Sequence, residues 1–278
     1  MNRNPCRRVG GWAIWGAAVA LAMGGCAGGS GGSKGPPKGS HGHGMVSVDT
    51  RGARNLPVVD GASGEVIGWD ALVERARAAD VVVIGEVHGH GMGGAATVAL
   101  FEDVMASGDR SPVLSMEFFE RDHQAHLDDY LGGISDEAAF RARTGRTDGN
   151  YPAAHRALIE AARAQEIEVI GANAPRRYAT VANKEGWTRL YELTPEQQRL
   201  FVNPGSSVGG RYEEKFFEMM EGMGASHGAP EGAEVDPEEE RKKIEGYFRA
   251  QNVWDATMAG SIAGALARGG APVVHVVG

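Results

Sequence analysis

Three short apolar runs in this chain each end in side chains that could do chemistry. Val81-Val82-Val83-Ile84-Gly85 leads at once into Glu86, His88 and His90. Val113 to Met116 leads into Glu117, followed by Arg121, Asp122, His123 and Gln124. Glu168 to Ala172 leads into Asn173, Pro175, Arg176, Arg177 and Tyr178. Carboxylates and neutral imidazoles are the usual ligands of zinc, iron or manganese. A carboxylate beside a metal-bound water can serve as general base. Arginines near a helix start can hold an anionic group, and a tyrosine phenol is one kind of haem-iron ligand. Each residue also has a plainer use. Glu117 could cap the helix after it, Asn173 could stabilise its own turn, and Arg177 could be a surface charge. Gln251 and Asp255 sit four apart on one helical face, either bonding to the sheet edge or facing water.

The elements that must position these residues alternate. Helical spacing over 69–79 precedes a buried strand at 81–84, and a helix over 95–106 precedes a strand at 113–116. Helices are predicted over 124–131, 136–143 and 151–165, then a third strand over 168–172. Helices dominate from 176 to 268, with breaks near 203–210 and 223–230, before a last strand at 273–277. This pattern predicts an α/β fold with a mainly parallel central sheet flanked by helices. In such a sheet ligands bind at the carboxyl ends of the strands, where all three polar clusters fall. The segment between the third and fourth strands is longer than one crossover needs. It reads as an inserted helical lid over about 195–245. Phe216, Phe217, Met219, Met220 and Met223 make a soft apolar surface there, suited to a flat ligand or to core packing. There is no glycine-rich phosphate loop, Walker motif or serine nucleophile elbow.

The first 45 residues read differently. Arg3, Arg7 and Arg8 precede an uncharged apolar stretch from Trp12 to Met23. That stretch is shorter than the roughly 20 residues of a membrane span and has the form of a secretory signal. It ends in Leu21-Ala22-Met23-Gly24-Gly25-Cys26, small residues before a cysteine as in a bacterial lipobox. Cleavage at 1–25 would leave Cys26 to carry lipid, and more than one acyl chain makes a stable anchor. Cys6 would leave with the signal, so the mature domain has no free thiol, disulfide or cysteine metal site. Residues 26–45 form a Gly/Ser/Pro-rich tether, and 46–278 the folded domain. Removing residues 1–25 takes away three arginines and no acid, moving the net charge from −8 to −11. That charge argues against nucleic acid as a partner.

Four segments together resemble the ChaN family of haem-binding lipoproteins, in the clan that includes Tiki proteases and erythromycin esterase-like enzymes. They are Ile84 to His88, Ser115 to Gln124, Gly171 to Arg176, and Gln251 to Ala259. The resemblance implies haem bound at a homodimer interface, iron uptake, and a lipid-anchored place in the bacterial cell envelope. It also implies tyrosine or histidine ligands to iron. Tyr178 is the first candidate and His227, in the methionine-rich lid, the second, with His88, Arg176 and Arg177 as further haem contacts. The clan carries a second Gly-x-x-His after its last strand, a motif that would begin at Gly278. A C-terminal truncation of a longer reading frame is therefore expected.

The leading expectation is a haem or iron carrier, its ligand held between the sheet edge and the lid. The alternative is a metal-dependent hydrolase. In that case Glu86 or Glu117 is the base, and His88, Glu86 and Glu117 hold zinc or manganese. A third possibility is an interaction module with a degenerate site.

Overall fold

The computed structural model describes residues 48–106, 110–222 and 236–278. The chain opens with α1 (Thr50–Ala53) and an antiparallel hairpin, β1 (Val58–Val59) and β2 (Val66–Ile67). It continues through α2 (Trp69–Ala78), β3 (Val81–Gly85), α3 (Gly91–Met105) and β4 (Val113–Glu120). A 3-10 turn at Arg121–His123 leads into α4 (Gln124–Leu131), α5 (Glu137–Arg143), α6 (Ala153–Ala164) and β5 (Glu168–Asn173). Then come α7 (Arg176–Glu185), α8 (Trp187–Tyr191), α9 (Pro195–Gln198), α10 (Arg211–Gly222), α11 (Pro237–Ala267) and β6 (Val273–Val277). No helix among the described residues is long and apolar enough to cross a membrane.

The main sheet is wholly parallel, in the order β3-β6-β4-β5. The last strand is thus an inner one, paired on both sides, and Val273, Val274, His275 and Val276 are buried. The alternation of side chains along each strand gives two faces. Leu114, Met116, Val169, Val274 and Val276 face Val98, Phe101 and Val104 of α3 and Leu158 and Ile159 of α6, forming the main core. Val113, Ile170 and Val273 face Ile262, Ala265 and Leu266 of α11. α11 packs across β5, β4 and β6. β3 lies beyond it at the edge, and Val83 is 61% exposed. The expectation of a buried first strand therefore holds only in part: Val82 and Ile84 pack half-buried against the main core, and no residue of β3 is fully buried.

The element boundaries explain where the polar residues go. β4 runs to Glu120 rather than stopping at Met116, with its register to β5 slipping between Met116 and Glu120. The slip brings backbone against backbone: a Cβ on Gly171 would lie 2.7 Å from the Glu120 carbonyl oxygen. At the open edge of β5, the Gln124 side chain donates to the Val169 carbonyl and accepts from the Gly171 N–H. Those groups would otherwise lack partners. α3 starts four residues earlier than its apolar pattern because the His90 Nδ1 accepts the Gly93 N–H at 2.9 Å, a histidine serving as N-cap. α11 starts at Pro237 with Asp236 as cap and three glutamates in its first turn, where acids complement the helix dipole.

The described part of the insertion between β5 and β6 is mostly helical, with a non-helical stretch at 201–210 between α9 and α10. α7, α8 and α11 enclose a second core of Ala174, Tyr178, Ala182, Leu190, Phe201 and Val253. α10 leans on α11 through Phe216, 5.1 Å from Phe248 between ring centres.

Candidate functional site

The carboxyl ends of the sheet strands open into a cleft of about 890 Å³. Glu86, Val87, His88 and His90 line it after β3, and Val276 and Gly278 at the end of β6. Glu117, Phe118 and Glu120 come from β4, Asn173 from the end of β5, Arg176 from the start of α7, and Ala153 to His155 from the start of α6. The expected convergence of three polar strand ends is therefore present. Among the described residues of the expected lid, none of 195–222 or 236–245 lines the cleft. α10 packs on α11, and the described wall comes from Gly91 and Gly94 of α3 and Ala153 to His155 of α6.

Glu86 is the most tightly held acid in the cleft. Both its oxygens meet the Nε2 of His155, at 2.9 and 2.8 Å. An ionised carboxylate only accepts, so Nε2 carries the proton and donates. His155 is 4% exposed, and its Nδ1 is buried with no partner among the described residues. The bond from His155 holds the Glu86 carboxyl below its ordinary range, against the opposing effect of burial. Nδ1 of His88 lies 3.3 Å from the Glu86 Oε1. With Nδ1–H directed at that carboxylate, the His88 Nε2 keeps its lone pair. The His88 side chain is 80% exposed. Gly278 closes the floor: its N–H donates to the Glu117 Oε2 at 2.7 Å, and a Cβ there would lie 2.2 Å from the His88 ring.

A second group gathers around Phe118. The His155 ring meets it edge-on at 4.4 Å, and Tyr151 stacks on it at 5.8 Å. The Arg146 guanidinium lies 3.8 Å from its centroid and donates to the Phe118 carbonyl at 2.5 Å. Burial draws the Arg146 pKa down. Glu120 is committed to structure, accepting the N–H of Arg176 at 3.0 Å and sharing a reciprocal cap with His123. Asn173 accepts from the Ala174 N–H, the turn-stabilising use foreseen for it.

Among the predicted residues, Glu86, His88, Glu117 and Arg176 come together in the cleft. Arg177 does not line it; its guanidinium pairs with Asp122 at 2.6 Å. Tyr178 is 5% exposed and packed 4.8 Å from the Phe201 ring in the second core. Its phenol oxygen accepts a long bond, 3.4 Å, from Arg177. His227 and Cys26 lie outside the described residues. Gln251 bonds to Asp255, and Asp255 to Tyr212 of α10, so this pair joins two helices and not the sheet edge. Arg121 is spent on Ser261 and the Thr257 carbonyl, tying β4 to α11. Glu120, Asp122 and His123 lie close enough to share a cation. The Nδ1 of His123, however, already accepts the Glu120 N–H.

Two cleft residues escaped the sequence reading. His155 sits on the apolar face of an amphipathic helix beside Leu158, Ile159 and Ala162, where it reads as core. Arg146 lies in a connecting segment between Gly145 and Thr147 and belongs to no motif. The one signal for His155 was a titratable side chain on a buried face, which needs a buried partner.

The sequence over residues 72–278 matches the family model described as "Haem-binding uptake, Tiki superfamily, ChaN". The fold is similar to that of the structure titled "Cofacial heme binding to ChaN of Campylobacter jejuni", with TM-score 0.60 and 15% identity. That similarity covers 79% of this chain and 78% of the other. A weaker likeness, TM-score 0.40 and 13% identity, covers 75% of this chain and 63% of an erythromycin esterase mutant, EreC H289N, in its open conformation. No curated protein matches the sequence. The chain belongs to the haem-binding uptake family of the Tiki superfamily that includes ChaN.

Proposed function

We propose that the strand-end cleft binds haem, with His88 as the iron-ligating side chain, and that the protein serves iron uptake. The observation that carries this reading is the exposed imidazole of His88, its tautomer set by Glu86 and Glu86 in turn held by His155. The cleft has the chemistry that an iron porphyrin needs. Its volume falls in the range of small-molecule sites. Val87, Phe118, Ala153, Ala154 and Val276 supply apolar surface, and Arg146 and Arg176 supply positive charge. An imidazole nitrogen is a common donor to haem iron. Haem, when bound, would supply the iron centre. The chain's own residues present the nitrogen, fix its orientation and surround the macrocycle.

Three further parts of this reading rest on the sequence and the family. Cys26 carries lipid and tethers the domain to the bacterial envelope through residues 26–45. A second copy covers the open mouth of the cleft, as the cofacial binding named for the Campylobacter jejuni protein suggests. Delivery of the bound haem supports iron acquisition.

Haemin titration of the purified protein, followed at the Soret band, tests the proposal. A saturable shift is expected, weakened roughly tenfold or more in His88→Ala. No saturable shift, with zinc or manganese found by elemental analysis, would replace haem carriage with metal-dependent hydrolysis on Glu86 and Glu117.

A further inference from the structure

The acids of the cleft are already engaged. Glu86 is held by His155, Glu117 by the Gly278 N–H, and Glu120 by the N–H of Arg176. Its two arginines are not. Arg146 has no ion pair among the described residues, and its Nε is buried without a partner. One hydrogen bond and the Phe118 ring hold the guanidinium in place. Arg176 lies exposed at the start of α7, with its backbone N–H bound to Glu120.

A planar cation fixed in this way is preorganised. Its position is set by an aromatic face and a carbonyl, so little side-chain freedom remains to be lost on binding. It is also electrostatically unfinished. Burial has removed water from part of the guanidinium; the Glu120 carboxylate acts on it only through space, and no carboxylate among the described residues hydrogen-bonds to it. A carboxylate entering from the cleft would restore both charge and hydrogen bonds, and arginine–carboxylate pairs are among the strongest polar contacts.

We infer that Arg146 is a specificity-determining residue that receives a free carboxylate of the bound tetrapyrrole. This inference rests on the haem reading above and adds to it a choice among porphyrins. Ligands with free propionates are selected over those whose carboxylates are blocked, and the macrocycle is oriented with its acidic edge toward Arg146.

Titrating haemin and haemin dimethyl ester into wild type, Arg146→Gln, Arg146→Lys and the control Arg143→Gln tests it. The expected wild-type preference for the free acid is roughly 10- to 100-fold, the range for a hydrogen bond between charged groups. Arg146→Gln should weaken haemin to the level of the ester and leave ester binding unchanged. Arg146→Lys, which keeps the charge without the fork, should recover part of the preference. Arg143, exposed on α5, should be neutral. If Arg146→Gln does not fold, judged by its thermal melt, Arg146→Lys carries the comparison. Equal wild-type affinity for acid and ester would overturn this inference and leave haem binding standing, as would a preference that survives in both Arg146 variants. Failure of wild type to bind either porphyrin would overturn the haem reading and this inference together.

Discussion

Glu86 and His155, from the end of β3 and the start of α6, form the firmest polar contact in the cleft. One imidazole nitrogen faces both carboxylate oxygens, at 2.9 and 2.8 Å. The pair joins two elements 69 residues apart in the chain. Replacing His155 by Leu leaves a carboxylate, 13% exposed, with only the longer 3.3 Å contact to His88. A loss of about 3 kcal/mol is expected, seen as a fall in Tm of roughly 6–12 °C. An unchanged Tm would show that water replaces the imidazole at no cost.

The same bond has a pH signature. The unfolded Glu86 carboxyl takes its proton near 4.5, and the folded one lower. The pair's contribution is therefore complete above about pH 4.5 and is lost as the pH falls through the folded value. Urea unfolding between pH 6 and pH 3 should show a steeper acid loss in wild type than in His155→Leu. Parallel curves would count against the pair.

His275 titrates in a different window. It is 3% exposed, in the middle strand, with its Nδ1 2.8 Å from the Ser115 hydroxyl. Burial pushes its pKa from 6.5 down to about 4, offset in part by Ser115. The unfolded chain thus takes up a proton near 6.5 that the folded chain refuses until about 4. Stability is full above pH 6.5 and declines as the pH falls from 6.5 to 4, by about 3 kcal/mol. His275→Asn should lack this decline. A variant with the same slope as wild type would assign it to other groups.

Gly278 tests how closely the cleft floor sets the position of His88. A Cβ there would lie 2.2 to 3.0 Å from three atoms of the imidazole. The ring is the exposed end of its side chain, so the clash is relieved by turning it out of the orientation that Glu86 sets. Gly278→Ala is expected to change stability by less than about 0.5 kcal/mol. It should weaken haemin roughly tenfold and shift the Soret maximum toward that of His88→Ala. Full affinity would mean that His88 is not the ligand.

The elements were more legible than their arrangement. β6 was readable from Val273 to Val277 because four valines around one histidine leave no other period. Its place between β3 and β4 depends on long-range pairing that no local pattern encodes. Glu117 was read as lying just past a strand. It lies within one, since the β4 bulge extends pairing to Glu120. Glu86 and His88 were visible because titratable residues followed an apolar run at once. His155 was hidden because its helix buries it among leucine and isoleucine, and its polar partner arrives from another element. Tyr178 drew notice for its phenol, yet its place on α7 turns it toward Phe201 and the second core. The spacing of residues 176–178 could not show which face of that helix meets the cleft.

The central claim is that the strand-end cleft, and not the second core around Tyr178, holds the ligand. Ala153 lines that cleft and is exposed at the first turn of α6, so a large side chain there fills the site without disturbing the core. Haemin titration of Ala153→Trp beside Tyr178→Phe, each checked by thermal melt, separates the two places. Loss of saturable binding in Ala153→Trp at unchanged Tm, with binding retained in Tyr178→Phe, is the predicted result. Full binding in Ala153→Trp with loss in Tyr178→Phe would contradict it and move the site to the second core.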